Sequence, residues 1–549
     1  MKNVTLLVLF LLSPLFVLTQ PCLPEGISFD NQQQIDNFQS MYPNCTTIEG
    51  DVVIWDWSIN DLSGLSSIAT IEGSLKIIET SLKNLTGLEE LQHVNGALLI
   101  RHNDSLVNVN GLNSLSTIGH ELDMQNNYYL NNISALNNLI SIGGGIHLRN
   151  LFRLDSINGL DNLVNFNGGL TIHECPVISL QPFNNTSELS HLYLRGLQLH
   201  DLTGLNNLTS VSWYVEIVNT SIVSTHGMEL LSEIGGSFTF KSHPNLSSYS
   251  GFQNVNAIGG DVTIEYNSSI SGLNGITEIN GDFKLSNIEN MTGLNNLVQV
   301  KGDAIITECD LEGLSSLNEI DGSLTFEKSL PLYGLENLLS VGGSLTILEG
   351  GIQDLQGLNG LTTIGGRLEI KDDDNLKNLS GLQNLESIGT DIKIHDNLIL
   401  NSLYGIDNIS PQSIINLSIY NNPSLSMCKI KSICEYLSSP NGAINIYGNW
   451  AECEDRAAVE TSCEDFSVEE SNIYNLLKIY PNPAQQELNI SLESLTINEV
   501  TIYSLTGQQR QHAMPVEGTI DISHLIPGIY IVDVLIEDTH IRQKLVVQR

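Results

Sequence analysis

Apolar residues return along this chain in a frame that repeats about every 23 residues from Asp51 to about Gly442. Three stretches show it in register: SLKIIETSLKNLTGLEELQHVNG (Ser74–Gly96), SLTILEGGIQDLQGLNGLTTIGG (Ser344–Gly366) and RLEIKDDDNLKNLSGLQNLESIGT (Arg367–Thr390). The shared frame is x-L-x-I-x-x-N followed by L-x-x-L-x-G-L-x-x-L-x-x-I-G-G. Two apolar positions separated by one variable residue predict a short strand. Leu75/Ile77, Leu98/Ile100, Leu170/Ile172, Phe238/Phe240, Leu345/Ile347 and Leu368/Ile370 then point inward, and the residues between them lie on an outer sheet face. Gly-Gly and Gly-Asp pairs mark the turns before the strands. One such unit cannot bury its apolar side alone and must stack on its neighbours, so the pattern predicts a solenoid. The frame gives about 17 coils and a rod roughly 80 Å long at the usual strand spacing.

Three residues after the second inward residue comes a slot held by Asn103, Asn127, Asn267, Asn397, Asn422 and Asn449, and by Cys175 and Cys309. A side chain there turns inward and bonds the backbone of the neighbouring coil. Cys175 and Cys309 are therefore expected to be buried free thiols, not nucleophiles. Asp261, Asp282 and Asp303 hold equivalent positions in three successive coils, and Lys371-Asp-Asp-Asp374 is a further acidic run. Both are expected to complete turns, without binding calcium.

The repeat L-x-I-x-x-[N/C]-x-L resembles the leucine-rich repeat. Cys45-T-T-I-E-G-D-V-V-I, followed by D-L-S-G-L-S-S-I-A-T-I-E-G-S-L-K-I, resembles more closely the receptor L domain, over about residues 22–463. The resemblance implies a mainly β fold, a right-handed β-solenoid of the kind that binds polypeptide ligands in receptor ectodomains. It carries no catalytic residues. No Cys-rich module or kinase follows, so a receptor role is not implied.

After Cys463 an acidic link (464–472) leads to strand-like runs at Leu488–Leu492, Glu499–Ser504, Thr519–Ile522, Gly528–Ile536 and His540–Val547. The turn signals Tyr480-Pro-Asn-Pro483, Thr506-Gly507 and Pro527-Gly528 separate them, and a small antiparallel β-sandwich is expected over 473–549. The pieces Y480-P-N-P-A484, L488-N-I490, V500-T-I-Y-S-L-T-G507, I520-D-I-S-H-L-I-P-G-I-Y530 and K544-L-V-V547 are similar to the type A C-terminal sorting domain of the type IX secretion system. That resemblance implies a Bacteroidota cell envelope, passage across the outer membrane, and release or attachment at the cell surface. Its partner would be the secretion machinery.

Composition narrows the reading. The formal charge of −39, from 23 Lys and Arg against 62 acids, argues against nucleic acid or an anionic membrane as the main partner. It also favours a soluble monomer. Residues 1–19 read as a secretory signal, with an apolar run from Val4 to Leu18, and no later stretch is long enough to span a bilayer. Eight cysteines suit an oxidising compartment. Cys22 and Cys45 are expected to staple an N-terminal cap (20–50). Cys428, Cys434, Cys453 and Cys463 are expected to staple the end of the 51–442 solenoid and its C-terminal cap (443–463). Three pairings of the last four are open, of which Cys428–Cys453 with Cys434–Cys463 is preferred.

No H-E-x-x-H, G-x-S-x-G, metal-spaced Cys/His set or phosphate loop occurs, so a non-catalytic protein without cofactor or metal is expected. Only five Arg lie in the solenoid, and Arg101, Arg149, Arg153 and Arg195 crowd coils three to seven. With His147, His173, His191, Tyr193 and Tyr214 on the same outward register, they form a basic and aromatic stripe on an acidic rod. Trp55 and Trp57 on the first coil also face outward by parity. Arg101, His147, Arg149, His173, His191, Tyr193, Arg195 and Tyr214 are the candidate ligand-binding residues, suited to an acidic polysaccharide or peptide. The expectation is a secreted or surface-displayed adhesion or binding protein. Two alternatives are a β-helix polysaccharide lyase or hydrolase, for which the coils lack long loop insertions, and a structural surface-layer rod.

Overall fold

Each coil contributes a short strand whose alternation puts one side chain in the core and the next on the surface. In the computed structural model, which describes residues 21–164, 166–328, 332–464, 477–491, 497–504, 508–513, 519–536 and 539–548, these strands stack in chain order. The signal segment 1–19, the link from 465 onward and the Thr506–Gly507 turn lie outside the described residues.

Seventeen strands, from Val52–Asp56 to Asn416–Tyr420, pair in parallel, each with its predecessor and its successor. Ile27–Phe29 adds a strand before the first and Ile444–Tyr447 one after the last. The sheet is open, because each of these outer strands has one strand neighbour among the described residues. Two-residue strands build a second parallel wall in two runs, Pro21–Cys22 to Ser141–Ile142 and Glu188–Leu189 to Ser387–Ile388. Between the walls runs one continuous apolar core in which Leu75, Ile77, Leu98, Ile100, Leu170, Ile172, Phe240, Leu345 and Ile347 are fully buried.

A residue of positive φ ends nearly every main strand, among them His102, Asn126, Asn150, Glu174, Asp396 and Asn421. This left-handed step swings the next side chain inward to the slot. Asn103, Asn127, Asn267, Asn397 and Asn422 are buried there. Asn127 Nδ2 donates to the Ile100 carbonyl at 2.8 Å while its Oδ1 accepts the Asn103 backbone N–H at 2.9 Å. Asn397, Asn422 and Asn449 repeat the arrangement. Each amide thus satisfies backbone groups that would otherwise be buried unpaired, a net gain of about 1 kcal/mol per bond. Cys175 fills the slot with Sγ 3.6 Å from the Leu148 carbonyl, and Cys309 lies 3.3 Å from that of Thr307. Both thiols are free and buried.

Helices Gln32–Asp36 and Phe38–Met41 close the N-terminal end, beside the Cys22–Cys45 disulfide. Helices Lys431–Ser438 and Arg456–Glu464 close the other, held by Cys428–Cys453 and Cys434–Cys463 with Cα atoms 5.7 and 5.5 Å apart. The C-terminal unit packs a three-stranded sheet (Lys478–Tyr480, Glu487–Ser491, Thr519–Asp521) with a four-stranded one (Gln509–Ala513, Ile497–Ser504, Gly528–Ile536, Thr539–Val547), all antiparallel. Leu488, Ile490, Val500, Ile502, Ile520, Val532, Val534 and Leu545 form its core. Lys478–Tyr480 and Gln509–Ala513 are strands beyond those expected. Both are sheet edges, and the second reads QRQHA, without the apolar alternation that marks a half-buried strand.

Candidate ligand-binding face

Strands Ile146–Arg149, Leu170–His173 and Leu192–Arg195 align so that Arg149 stands beside His173 and His173 beside Arg195 on the outer face. His147, Thr171 and Tyr193 form the adjoining column. Arg149 and Arg195 make neither an ion pair nor a side-chain hydrogen bond among the described residues. Farther along, the same face neutralises itself. Glu265 lies between Lys241 and Lys284 at 3.3 and 2.8 Å, and Glu369 meets Lys393 at 2.7 Å. Arg101 behaves like these later residues, since its Nη2 donates to Oδ2 of the buried Asp123 at 2.7 Å. Its charge is already matched, and Gln125 separates it from Arg149. Glu174 follows His173, 3.8 Å from its Nε2, and Glu216 stands beside Tyr193, so acids flank the face as well.

His147, His191 and Tyr214 form a stack, with centroids 6.1 and 5.1 Å apart and planes within 17°. His147 lies in strand Ile146–Arg149 and His191 just before strand Leu192–Arg195, two coils on, and they meet because the intervening coil has Gly169 there. A Cβ on Gly169 would lie 1.8 Å from the His191 ring. His191 Nε2 sits 3.1 Å from Thr171 Oγ1, and His173 meets Tyr193 edge to face at 5.8 Å. Because the stacked rings cover one another, they offer their polar edges, not a bare platform, to a ligand. Burial holds all three imidazoles below the usual histidine range. For His173, Glu174 opposes the shift while Arg195 and Arg149 reinforce it. His191 is lowered further by His147 and Arg149. These imidazoles are therefore neutral at pH 7 and act there as hydrogen-bonding groups.

Sequence reasoning missed a neighbouring patch. Tyr128 stacks on Phe152 at 5.6 Å, and the Arg153 guanidinium lies 4.3 Å above the Tyr129 ring. All three rings are exposed. Their shared signal is an aromatic residue just after the slot in two consecutive coils. Trp213, 65% exposed, adjoins Tyr214. Trp55 stands in the column of Arg101, two strands before it.

The stacked aspartates have a backbone role. Asp261 Oδ1 accepts the Asp282 N–H, Asp282 the Asp303 N–H and Asp303 the Ser323 N–H, at 2.9, 2.9 and 2.7 Å. Asp51 does the same for Ser74. No group of three His, Cys, Asp or Glu suited to a metal ion occurs among the described residues.

Comparison with known proteins agrees with the two-part architecture. Residues 478–548 match the family described as secretion system C-terminal sorting domain, and residues 44–107 match the receptor L domain. A similar solved structure is the crystal structure of an internalin from Listeria monocytogenes. It is 17% identical over 64% of this chain and 81% of that one, with a TM-score of 0.27. Comparison with curated proteins gives no match. No helix among the described residues is long and apolar enough to cross a membrane. The chain is thus a solenoid with a segment similar to the receptor L domain, carrying a type IX secretion C-terminal sorting domain that marks it for secretion or the cell surface.

Proposed function

We propose that this is a non-catalytic recognition protein, exported through its sorting domain, that holds an acidic ligand on the outer sheet face around Arg149, His173, Tyr193 and Arg195. The observation that carries the reading is the unpaired state of Arg149 and Arg195 on a chain of charge −39, where other cations of this face have acid partners. Leaving two guanidinium forks free beside hydroxyl and imidazole edges suits recognition of carboxylate or sulfate. Thr171 Oγ1 lies 3.1 Å from His191 Nε2, but Thr171 is buried, so this hydroxyl and imidazole present no accessible nucleophile, which supports binding over chemistry.

The test is a glycan and peptide array probed with the full chain and with Arg149→Ala/Arg195→Ala. Binding that the double variant loses supports the role and the face. A new reducing end or unsaturated product from any bound polysaccharide would instead make the protein an enzyme.

A further inference from the structure

We infer that the ligand is a polyanionic polysaccharide lying along the rod, with acid groups on alternate sugars engaging Arg149 and Arg195. This rests on the recognition role proposed above and adds ligand class and orientation.

The spacing favours it. Arg149 and Arg195 occupy the same column two strands apart, so their backbones stand roughly 10 Å apart along the stacking axis. A β-extended peptide repeats same-side side chains at about 6.7 Å, which does not fit that interval. In a β-1,4-linked acidic chain alternate sugars face the same way, and their pitch of two sugar units is close to the interval. The sugar between them falls opposite His173, where Tyr193 packs edge-on. Beside this line, over the same coils, run the hydroxyl and imidazole edges of Tyr214, His191 and His147, which suit a ligand rich in hydroxyls. The face has paired strands on both sides, so a peptide has no free sheet edge here to extend.

Binding of the full chain would be measured to β-1,4-mannuronate oligomers of increasing length, cellulose sulfate, neutral cello-oligosaccharides and poly-L-glutamate. The first two distinguish carboxylate from sulfate as the acid group. Expected are binding to one or both acidic glycans, none to the neutral one, and an affinity step of about tenfold between two and three mannuronate units or their sulfated equivalents. Arg149→Ala and Arg195→Ala should each weaken binding about ten- to a hundredfold and remove the step, with unchanged melting temperature. Arg149→Lys/Arg195→Lys keeps the charge and should recover part of the affinity. Poly-L-glutamate bound as tightly as mannuronate, with both lost in the double variant, would overturn the ligand class and leave the face standing. Acidic glycan binding that survives the double variant would overturn the face and this inference together. Failure of both acidic glycans to bind would overturn the inference.

Discussion

The carboxyl of Asp373 points at Gly350, with Oδ2 only 2.3 Å from where a Cβ on that glycine would stand, and that oxygen has no hydrogen-bond partner. Asp373 occupies the slot that Asn397 and Asn422 fill in the next coils, and its Oδ1 accepts the Asn375 and Leu376 N–H groups. The Asp373 N–H still donates to Asn397 Oδ1, so the inward ladder stops on the Gly350 side of this slot. Burial, the largest influence, pushes the carboxyl up to about 6, with Asp374 adding to the shift against the backbone donors.

The sign of the pH effect follows. Because the folded value lies above the usual carboxylate value, the folded state holds this proton more firmly than the unfolded chain. The resulting stability is present at low pH and is lost as pH rises through about 6. Asp373→Asn should therefore stabilise the protein at pH 8 by on the order of 1–3 kcal/mol and change it little at pH 4. Thermal melts at the two values check this, and an equal shift at both would refute the titration account.

Cys175 and Cys309 should not react with a thiol reagent in the native protein. Burial pushes them up to about 12 and about 11, so the thiolate is scarce and the sulfur inaccessible. Titration with an aromatic disulfide should detect no thiol when folded and both when denatured.

Gly169→Ala should displace the His191 ring without unfolding the coil, since the imidazole can swing away from the new methyl. The loss is the contact with Tyr214 and His147, worth about 1 kcal/mol. Freed from burial, His191 should titrate closer to the ordinary histidine range, an upward move visible by imidazole NMR.

Binding of cellulose sulfate should strengthen as pH falls from 7.5 to 5. Sulfate stays charged throughout, while His173 is neutral at the upper value, and its protonation on acidification would add a cation between Arg149 and Arg195, with Glu174 following it in the chain as an opposing acid. His173→Gln should flatten this dependence without changing binding at pH 7.5 by more than about threefold.

Most of the solenoid is legible in the sequence because its period fixes parity. Once Leu170 and Ile172 are inward, His173 must face out, and the stacking of Arg149, His173 and Arg195 follows from coil lengths that keep register. Contacts that cross columns are less legible. The bond from Arg101 to Asp123 is diagonal, and the meeting of His147 with His191 depends on a glycine in a coil to which neither belongs. The aromatic pair Tyr128 and Phe152 lies beyond the strand, where the repeat imposes no parity. In the sorting domain the edge strand Gln509–Ala513 is held by pairing on one side and leaves no hydrophobic signature.

The stacking direction also sets how the molecule bears tension. Backbone bonds and slot amides both run from coil to coil, so a pull along the rod loads them in series and a failing end peels one coil at a time. Tethered by its C-terminal region and gripped at Arg149 and Arg195, the protein would transmit force only through coils beyond the ligand. The break at Asp373 lies within that loaded stretch and the coils before Arg149 do not. Unpartnered slot atoms at Thr220 and His243 lie in the same stretch, so the Asp373 slot would be one of several weak points, the one that is strongest in acid and weakest when its carboxyl is ionised.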